Sequence, residues 1–279
     1  MLNGLRVAVV LPAYNAASTL EQTVAELDRS IVDDVILVDD NSTDQTVELA
    51  QSLGLSPTRH GSNRGYGANQ KTCYRLALDR GAEIIVMVHP DYQYSPRLVP
   101  AMAAMIAYGE YDLVLGSRIL AQHAVQGGMP RYKYVANRAL TAFQNVMVGA
   151  KLSEYHTGLR AYARGLLEAV PFDLNSDDFV FDNQLLAQAM AVHARIGEVS
   201  CPTRYSDDSS SINFRRSVVY GLGCVRTSVE FWLHTRKMGS YPYLTGTGQR
   251  PLSGEPAGPD QQSALGDQTS GGPATRQGP

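Results

Sequence analysis

At residues 84–96 the chain reads IIVMVHPDYQYSP, an apolar run that stops at polar side chains. An unbroken apolar run of this kind is typical of a strand buried on both faces, as in a parallel sheet covered by helices. Pro90 removes a backbone donor and keeps His89 extended, so the strand is predicted to end here and to present Asp91 and Gln93. Ligands bind at the carboxyl ends of strands in open α/β sheets, although a Pro-Asp pair also begins simple turns.

Two segments upstream repeat this order of an apolar strand followed by polar residues. Residues 5–11 lead into Pro12-Ala13-Tyr14-Asn15, and residues 35–38 lead into the sequence DDNSTD at 39–44. Carboxylates at the end of a buried strand are costly unless they pair, bind a donor or face a cleft. The order therefore predicts that several strand ends meet at one ligand-binding edge.

Helices are predicted after both of these strands. Ser18 with Glu21, and Ser42 with Gln45, have the form of capping boxes that begin a helix. Simple capping by Asp40 or Ser42 is the structural alternative to ligand binding. The loop after the first strand contains no glycine, so it lacks the tight turn of the dinucleotide-binding fingerprint, and a nicotinamide or flavin enzyme is disfavoured.

A glycine-rich segment, GSNRGYGANQK at residues 61–71, follows a short predicted strand at 55–60 and opens a helix. Its glycines allow the backbone to approach a ligand, and Arg64 and Lys71 are candidates to answer phosphate charge near a helix start. The segment is not a P-loop, and a plain loop is the alternative.

The second half of the chain continues the alternation of strands and helices. A strand at 112–118 ends in Ser117 and Arg118, and a basic segment at 127–133 that includes Arg131 is a candidate mobile lid. Helices are predicted at 98–108, at 135–147 and from 185, the last opened by residues 177–184 with Asp182, and residues 155–162 form a turn into a strand. Charge that complements a helix N-terminus is the alternative role for Asp182.

Composition limits the class of protein. The chain has 279 residues, 44% of them hydrophobic, and a net charge of −3, so no global field attracts nucleic acid. Its three cysteines form no C-x-x-C pair, which argues against a zinc site or a disulfide framework. No signal peptide and no membrane-spanning run are found, so we expect a cytoplasmic protein, soluble or peripheral at the cytoplasmic membrane face.

One domain at residues 1–240 and a tail at 241–279 are predicted, because the tail is rich in Gly, Pro, Ser and Gln with almost no large apolar residue. Such a composition is typical of disorder. Before it, residues 214–232 place Phe214, Val218, Leu222, Val225, Val229 and Trp232 on one helical stripe beside several arginines. This stripe either packs on the sheet or docks on an anionic membrane.

Together these motifs resemble family 2 glycosyltransferases, most closely the branch of dolichyl-phosphate mannose synthases and related polyprenyl-phosphate sugar transferases. The motifs are VVLPAYN at 9–15, VDDNSTD at 38–44, the 63–71 loop, PDYQ at 90–93 and GSR at 116–118. The resemblance covers most of residues 5–237 and implies the GT-A fold, with a Rossmann-like, mostly parallel sheet between helices. It also implies transfer of a hexose from a UDP- or GDP-sugar with inversion at the anomeric carbon.

Site residues follow from the same resemblance. The catalytic candidates are Asp91, Asp182 and Arg118. The candidates to bind the nucleotide sugar are Pro12, Ala13, Tyr14, Asn15, Asp40, Ser42, Asn69, Lys71, Gln93 and Arg131. The expected cofactor is a divalent metal, Mg²⁺ or Mn²⁺, held by Asp91 and by His89, which stands where this branch commonly carries a first aspartate. An imidazole in place of a carboxylate should weaken a Mg²⁺ site and favour Mn²⁺.

The expected acceptor is a polyprenyl or dolichyl phosphate, which is already ionised and needs no general base. An alternative is a sugar or protein hydroxyl, for which Asp182 would accept the proton. A catalytically silent nucleotide-sugar-binding protein is a second alternative, because His89 departs from the common metal motif. A sugar-1-phosphate nucleotidyltransferase is disfavoured, since its glycine-rich loop is missing after the first strand.

Overall fold

A computed structural model describes residues 1–120, 129–202 and 214–246 of the chain. The strands are β1 (Val7–Ala13), β2 (Asp34–Asp39), β3 (Thr58–Arg59), β4 (Ile84–Met87), β5 (Leu113–Ser117), β6 (Arg160–Ala163) and β7 (Ile196–Ser200). The α-helices are α1 (Leu20–Ala25), α2 (Thr46–Ser52), α3 (Tyr66–Asp79), α4 (Val99–Ala107), α5 (Arg131–Val148), α6 (Arg164–Ala169), α7 (Phe181–Ala191) and α8 (Phe214–Thr235).

The strands form one sheet in the order β3-β2-β1-β4-β6-β5-β7. β1 is parallel to both β2 and β4, and β5 is parallel to β7. β6 runs antiparallel between β4 and β5. The sheet is therefore mostly parallel, as predicted, and the carboxyl ends of β1, β2 and β4 meet at one edge.

Both faces of the sheet are buried, which explains the continuous apolar runs. In β1, Val7, Val9 and Leu11 pack in the core shared with α1, α2 and α4. Ala8 and Val10, which alternate with them, pack in the core shared with α3, α6 and α7. A strand covered on both sides has no polar face, so its sequence does not alternate.

Several predicted element ends differ from the structure. β1 continues through Pro12 to Ala13 in register with Val38 and Asp39, where a turn was predicted. Proline is tolerated there because β4 pairs with β1 only as far as Val10. Both predicted capping boxes are wrong. α1 and α2 begin after Thr19 and Gln45 without a side-chain capping bond.

The predicted stripe of α8 coincides only in part with its core face, since Val225, Val229 and Trp232 are half-buried. Val218 and Leu222 are 46% and 65% exposed, whereas the buried residues of this helix are Cys224, Thr227, Ser228 and Phe231. α8 packs against α5 and α7. Small side chains on the buried face allow that close packing, and Val218, Val219 and Leu222 remain exposed.

Structure continues past the predicted domain boundary at 240. Residues 242–244 form a 3-10 helix, and Leu244 is buried against Ala187 and Phe231. The rest of the predicted tail, 247–279, lies outside the described residues. Only part of the predicted lid at 127–133 lies within the described residues. Gly127 and Gly128 also lie outside them, while residues 131–133 form the first turn of α5.

Candidate functional site

A cleft with a volume of about 820 Å³ opens at the carboxyl ends of β1, β2 and β4. The strand ends line one side of it, and α5, α8 and the segment before β6 line the other. Polar lining residues include Asn15, Asp40, Asn63, Tyr66, Asn69, His89, Asp91, Gln93, Arg118, Lys133, Asn137, His156, Arg160, Asp182, Arg216 and Tyr220. The cleft therefore lies where an open α/β sheet binds its ligands.

Each of the three strand ends is followed by a residue in the left-handed conformation. These residues are Asn15 (φ 50°), Asn41 (φ 64°) and Tyr92 (φ 57°). The first two ends are tied together, because the Asn15 N–H donates to Ser42 Oγ at 2.8 Å and the Thr43 N–H donates to Asn15 Oδ1 at 2.9 Å. Backbone of this kind is uncommon outside glycine and clusters at binding sites, where surrounding contacts hold it.

Asp40 organises the glycine-rich loop at the cleft wall. Its Oδ1 accepts hydrogen bonds from the Arg64 N–H at 2.9 Å and is 2.7 Å from His60 Nδ1, and its Oδ2 accepts one from the Gly65 N–H at 2.9 Å. The carboxylate is 3% exposed. These bonds satisfy its charge and fix the loop that brings Tyr66 to the cleft.

Asp182 lies at the start of α7 beside two groups distant in sequence. Tyr66 Oη donates to Asp182 Oδ2 at 2.6 Å and is 2.8 Å from His89 Nε2. Arg160 Nε is 3.9 Å from Asp182 Oδ1, and its Nη1 donates to the Asp182 carbonyl at 2.8 Å. Burial alone would lower the pKa of Arg160, but the charge of Asp182 offsets it and the pKa is raised. Arg160 therefore stays charged beside Asp182.

Arg118 is held by a buried carboxylate. Glu154 is fully buried and accepts hydrogen bonds from the Arg118 N–H, Nε and Nη2 and from Asn137 Nδ2. Burial on its own would raise the pKa of Glu154, but the guanidinium and these hydrogen bonds hold it below its usual value. Arg118 also donates to the His156 carbonyl at 2.6 Å. This network fixes Arg118 between the end of β5 and α5.

His156 presents a neutral imidazole to the cleft. Its Nδ1 is 2.8 Å from Tyr220 Oη, and within the described residues its buried Nε2 has no hydrogen-bond partner. Burial lowers the pKa of His156 to about 4, and the charges of Arg118 and Arg160 act in the same direction. The ring is therefore uncharged at neutral pH.

The sequence of this chain matches a known protein family. The model of the family described as glycosyl transferase family 2 matches residues 8–170, more than half of the chain. The chain is a family 2 glycosyltransferase. Similar curated proteins include a dolichyl-phosphate hexose transferase of Haloferax volcanii, 29% identical over 227 residues that cover 80% of this glycosyltransferase and 94% of that protein.

Two further relatives also have names that specify a lipid phosphate. An undecaprenyl-phosphate mannosyltransferase of Micrococcus luteus is 28% identical over 206 residues, 70% of this chain and 82% of that protein. A UDP-N-acetylglucosamine–dolichyl-phosphate N-acetylglucosaminyltransferase of Methanococcus voltae is 26% identical over 218 residues, 72% of this chain and 86% of that protein.

The solved structures confirm the predicted GT-A fold. Glucosyl-3-phosphoglycerate synthase from Mycobacterium tuberculosis in complex with UDP matches with a TM-score of 0.65 at 20% identity, covering 82% of this glycosyltransferase and 80% of that chain. The same enzyme with Mn²⁺ and UDP-glucose matches with a TM-score of 0.65 at 22% identity, covering 85% and 81%.

The structure brings most of the predicted site residues together. Those that line the cleft are Pro12, Ala13, Tyr14, Asn15, Asp40, Asn69, His89, Asp91, Gln93, Arg118 and Asp182. Asn69 also ties two strand ends, since its amide donates to the Ala13 and Val38 carbonyls at 3.2 and 3.1 Å.

Three predicted residues do not line the cleft. Ser42 binds the loop backbone at Asn15, as described above. Lys71 is turned toward residues 175–177, where its ammonium donates to the Asn175 carbonyl and to Asp177 at 2.5 and 2.7 Å. Arg131 is exposed, and Lys133, two residues later on α5, lines the cleft instead. The structure thus does not bring Lys71 or Arg131 to the place where a nucleotide sugar is expected.

Four residues that line or support the cleft were not predicted from the sequence. Tyr66, His156 and Arg160 all line it, and Glu154 holds Arg118 from behind. Residues 155–162 were interpreted only as a turn into a strand. The one available signal was the density of polar side chains between Glu154 and Arg160, directly before an apolar strand.

The residues of the cleft fit a metal that arrives with the substrate. Among residues 1–120, 129–202 and 214–246, no group of three or more His, Cys, Asp and Glu side chains is placed to hold a metal ion. Asp91 lines the cleft, and its Oδ1 accepts a hydrogen bond from the Gln93 N–H at 3.1 Å. A Mg²⁺ ion shared with substrate phosphates needs only one or two protein carboxylates. Asp91 therefore fits a metal bound between the enzyme and a diphosphate.

Proposed function

We propose that this glycosyltransferase transfers a hexose from a nucleoside diphosphate sugar to a polyprenyl phosphate. The observation that carries the proposal is the position of the cleft between the strand ends, with Asp91 and Asp40, and two helices that carry exposed apolar side chains, α5 and α8. The names of the curated relatives, which specify dolichyl- and undecaprenyl-phosphate acceptors, support the same acceptor class.

The donor is proposed to bind along the strand ends. Its base and ribose would lie against residues 12–15 and Asp40, and its diphosphate near Asp91. A divalent metal bound by Asp91 and the diphosphate would supply positive charge where the leaving group becomes negative. The UDP and Mn²⁺ complexes of the structural relative support this donor class.

The reaction needs no proton removal when the acceptor is a phosphate. A phosphate oxygen attacks the anomeric carbon, and the bond from that carbon to the diphosphate oxygen breaks, with inversion. A phosphate monoester is already ionised near neutral pH. The side chains of the cleft then act by positioning both substrates and by stabilising the charge on the leaving diphosphate.

The acceptor is proposed to enter between α5 and α8. Lys133 and Arg216 line the cleft from these helices and would attract its phosphate. The exposed apolar residues, which we call the α5–α8 apolar surface, are Tyr132 (66% exposed), Val135 (64%), Phe143 (36%), Val146 (80%), Val218 (46%), Val219 (60%) and Leu222 (65%). On α5 they lie at 132, 135, 143 and 146, and these spacings of three and eight residues place them on one face of the helix.

Docking of the α5–α8 apolar surface on an anionic membrane is part of the proposal. Arg131, Arg138 and Arg215 are exposed on the same two helices and would face lipid phosphates. No helix within the described ranges of the chain is long and apolar enough to cross a membrane. Attachment through this surface would present a lipid phosphate to the cleft from the bilayer.

Transfer is tested with the purified full-length chain. UDP- and GDP-hexoses with a labelled sugar, in Mg²⁺ or Mn²⁺, are incubated with a short polyprenyl phosphate and, as the matched control, with the corresponding polyprenol. We expect label in the polyprenyl-phosphate product and none with the polyprenol. Transfer to the polyprenol or to free sugars, with none to the phosphate, would contradict the proposal.

Docking is tested apart from catalysis. Leu222→Ser should reduce co-sedimentation with vesicles that contain phosphatidylglycerol, and raised salt should reduce it further. Met238→Ser is the control, because Met238 is equally exposed at 66% but lies beyond the end of α8. Equal binding by both variants and the wild type would argue against docking through this surface.

A hydroxyl acceptor is the second candidate, and one observation favours it. Asp182 lines the cleft, and its buried Oδ1 accepts no hydrogen bond from the described residues. In this candidate function, that oxygen would accept the proton of the attacking hydroxyl. Asp182→Asn should slow transfer to a hydroxyl about 100-fold or more, as expected for loss of a general base, and should slow transfer to a phosphate far less.

A further inference from the structure

The pair His89 and Tyr66 is the feature of the cleft that the reaction described above does not use. His89 lies between the end of β4 and Asp91, and Tyr66 begins α3 directly after the glycine-rich loop. Their rings are stacked with centroids 5.2 Å apart, and Phe179 packs against Tyr66 at 4.9 Å. Both side chains line the cleft but contact each other.

The number of protons on the Tyr66 hydroxyl sets the direction of its hydrogen bonds to Asp182 and His89. The Tyr66 hydroxyl has one proton, and it donates that proton to Asp182 Oδ2. The 2.8 Å contact between Tyr66 Oη and His89 Nε2 then requires Nε2 to carry a proton and donate it. The chain of bonds runs from His89 through Tyr66 to Asp182 and occupies Nε2, which leaves Nδ1 as the one nitrogen of this ring that a metal could use.

The ring of His89 is also held in place by packing. Gly158 lies against it so closely that a Cβ at this position would be 2.5 Å from His89 Cδ2 and 3.1 Å from Nε2. The backbone of Gly158 is fixed in turn, because its N–H donates to Tyr94 Oη at 2.8 Å. A side chain at 158 would displace the imidazole, so the glycine keeps His89 against Tyr66.

We infer that His89 is a positioning residue for Asp182, acting through Tyr66, and that Asp91 alone supplies the protein's carboxylate to the metal. The bond from Tyr66 occupies Oδ2 of Asp182 and leaves Oδ1 to accept a hydrogen bond from a hydroxyl group of the bound substrate, either on the donor sugar or on the acceptor.

Metal binding provides a readout that does not depend on transfer. UDP is titrated calorimetrically in Mn²⁺ and in a chelator with the wild type, His89→Gln, His89→Leu and Asp91→Asn. We expect the Mn²⁺-dependent gain in UDP affinity to be lost in Asp91→Asn and to stay within twofold of the wild type in both His89 variants. A loss of tenfold or more in both His89 variants would show that the imidazole binds the metal, and would overturn the inference.

Kinetics test the positioning role, and this part rests on the proposed sugar transfer. Tyr66→Phe and His89→Leu should each lower kcat about three- to tenfold with the donor KM unchanged, as for loss of one hydrogen bond. His89→Gln should restore most of the rate, because its amide N–H can donate to Tyr66. If the chain lacks transferase activity altogether, the UDP titration still shows whether His89 binds the metal. Failure of the proposed function and failure of this inference are therefore distinguishable.

A double-mutant cycle separates positioning from a general loss of packing. In the Asp182→Asn background, Tyr66→Phe and His89→Leu should change kcat by less than twofold, since the group that they orient has been altered. Effects that multiply fully with Asp182→Asn would overturn the inference. Should His89→Leu fail to fold, Tyr66→Phe supplies the same comparison.

Discussion

Replacing His156 with Asn should make the protein less sensitive to acid. Burial lowers the pKa of His156 to about 4, whereas its value without that environment is 6.5. As the pH falls below 6.5, the unfolded chain takes up a proton that the folded imidazole does not accept. The free energy of unfolding therefore falls with pH through this window, and the loss ends near pH 4, where the folded imidazole is also protonated.

The gap between the two pKa values of His156 sets the magnitude of this loss. With about 1.4 kcal/mol for each pKa unit, it amounts to about 3 kcal/mol over the whole window. Between about pH 7.5 and pH 5 the loss is about 2 kcal/mol. Asn lacks a titrating group but keeps an amide near the position of Nδ1 for Tyr220. His156→Asn should therefore lose about 2 kcal/mol less than the wild type over this range.

Urea unfolding at several pH values between 7.5 and 5 measures the difference. Carboxylates that also destabilise the fold in acid act equally in both proteins, so they cancel in the comparison. Tyr220→Phe is the matched control, because it removes the hydroxyl 2.8 Å from Nδ1 but leaves His156 buried beside Arg118 and Arg160. It should be less stable at every pH and keep the wild-type slope. Parallel curves for the wild type and His156→Asn would refute a neutral, buried imidazole.

Three further substitutions test the other groups of the cleft. Asp91→Asn should abolish transfer and metal-dependent UDP binding with an unchanged melting temperature, and normal turnover would contradict the role of Asp91 in holding the metal. Asp40→Ala should weaken UDP binding measured by calorimetry and destabilise the fold by about 1–3 kcal/mol, because it leaves the loop donors at Arg64 and Gly65 unpaired. Lower stability with unchanged UDP affinity would limit Asp40 to a structural role. Glu154→Gln should cost about 3 kcal/mol in urea unfolding and lower kcat, since the buried guanidinium of Arg118 loses the carboxylate charge of Glu154. Wild-type stability would show that this ion pair contributes nothing.

Local sequence was sufficient to predict the order of strands and helices in the first half of the chain. The apolar runs that become β1, β2 and β4 are covered on both faces, so their lack of polar alternation was informative. Asp40 and Asp91 follow those strands directly, and parallel strands bring their carboxyl ends to one edge. The position of these carboxylates in the cleft follows from topology that hydrophobic patterns already imply.

The rest of the cleft could not be predicted, because it is built from contacts between residues far apart in sequence. Tyr66 meets Asp182 across 116 residues, and Lys71 turns to Asp177 across 106, away from the expected phosphate. A periodic pattern reports how an element is buried along its own length and carries no information about which element covers it. The apolar stripe of α8 illustrates this, because its pattern equally fits a core face and the exposed face that Leu222 occupies. Only the packing of α8 on α5 and α7 selects between them, and the antiparallel insertion of β6 brings Arg160 beneath Asp182.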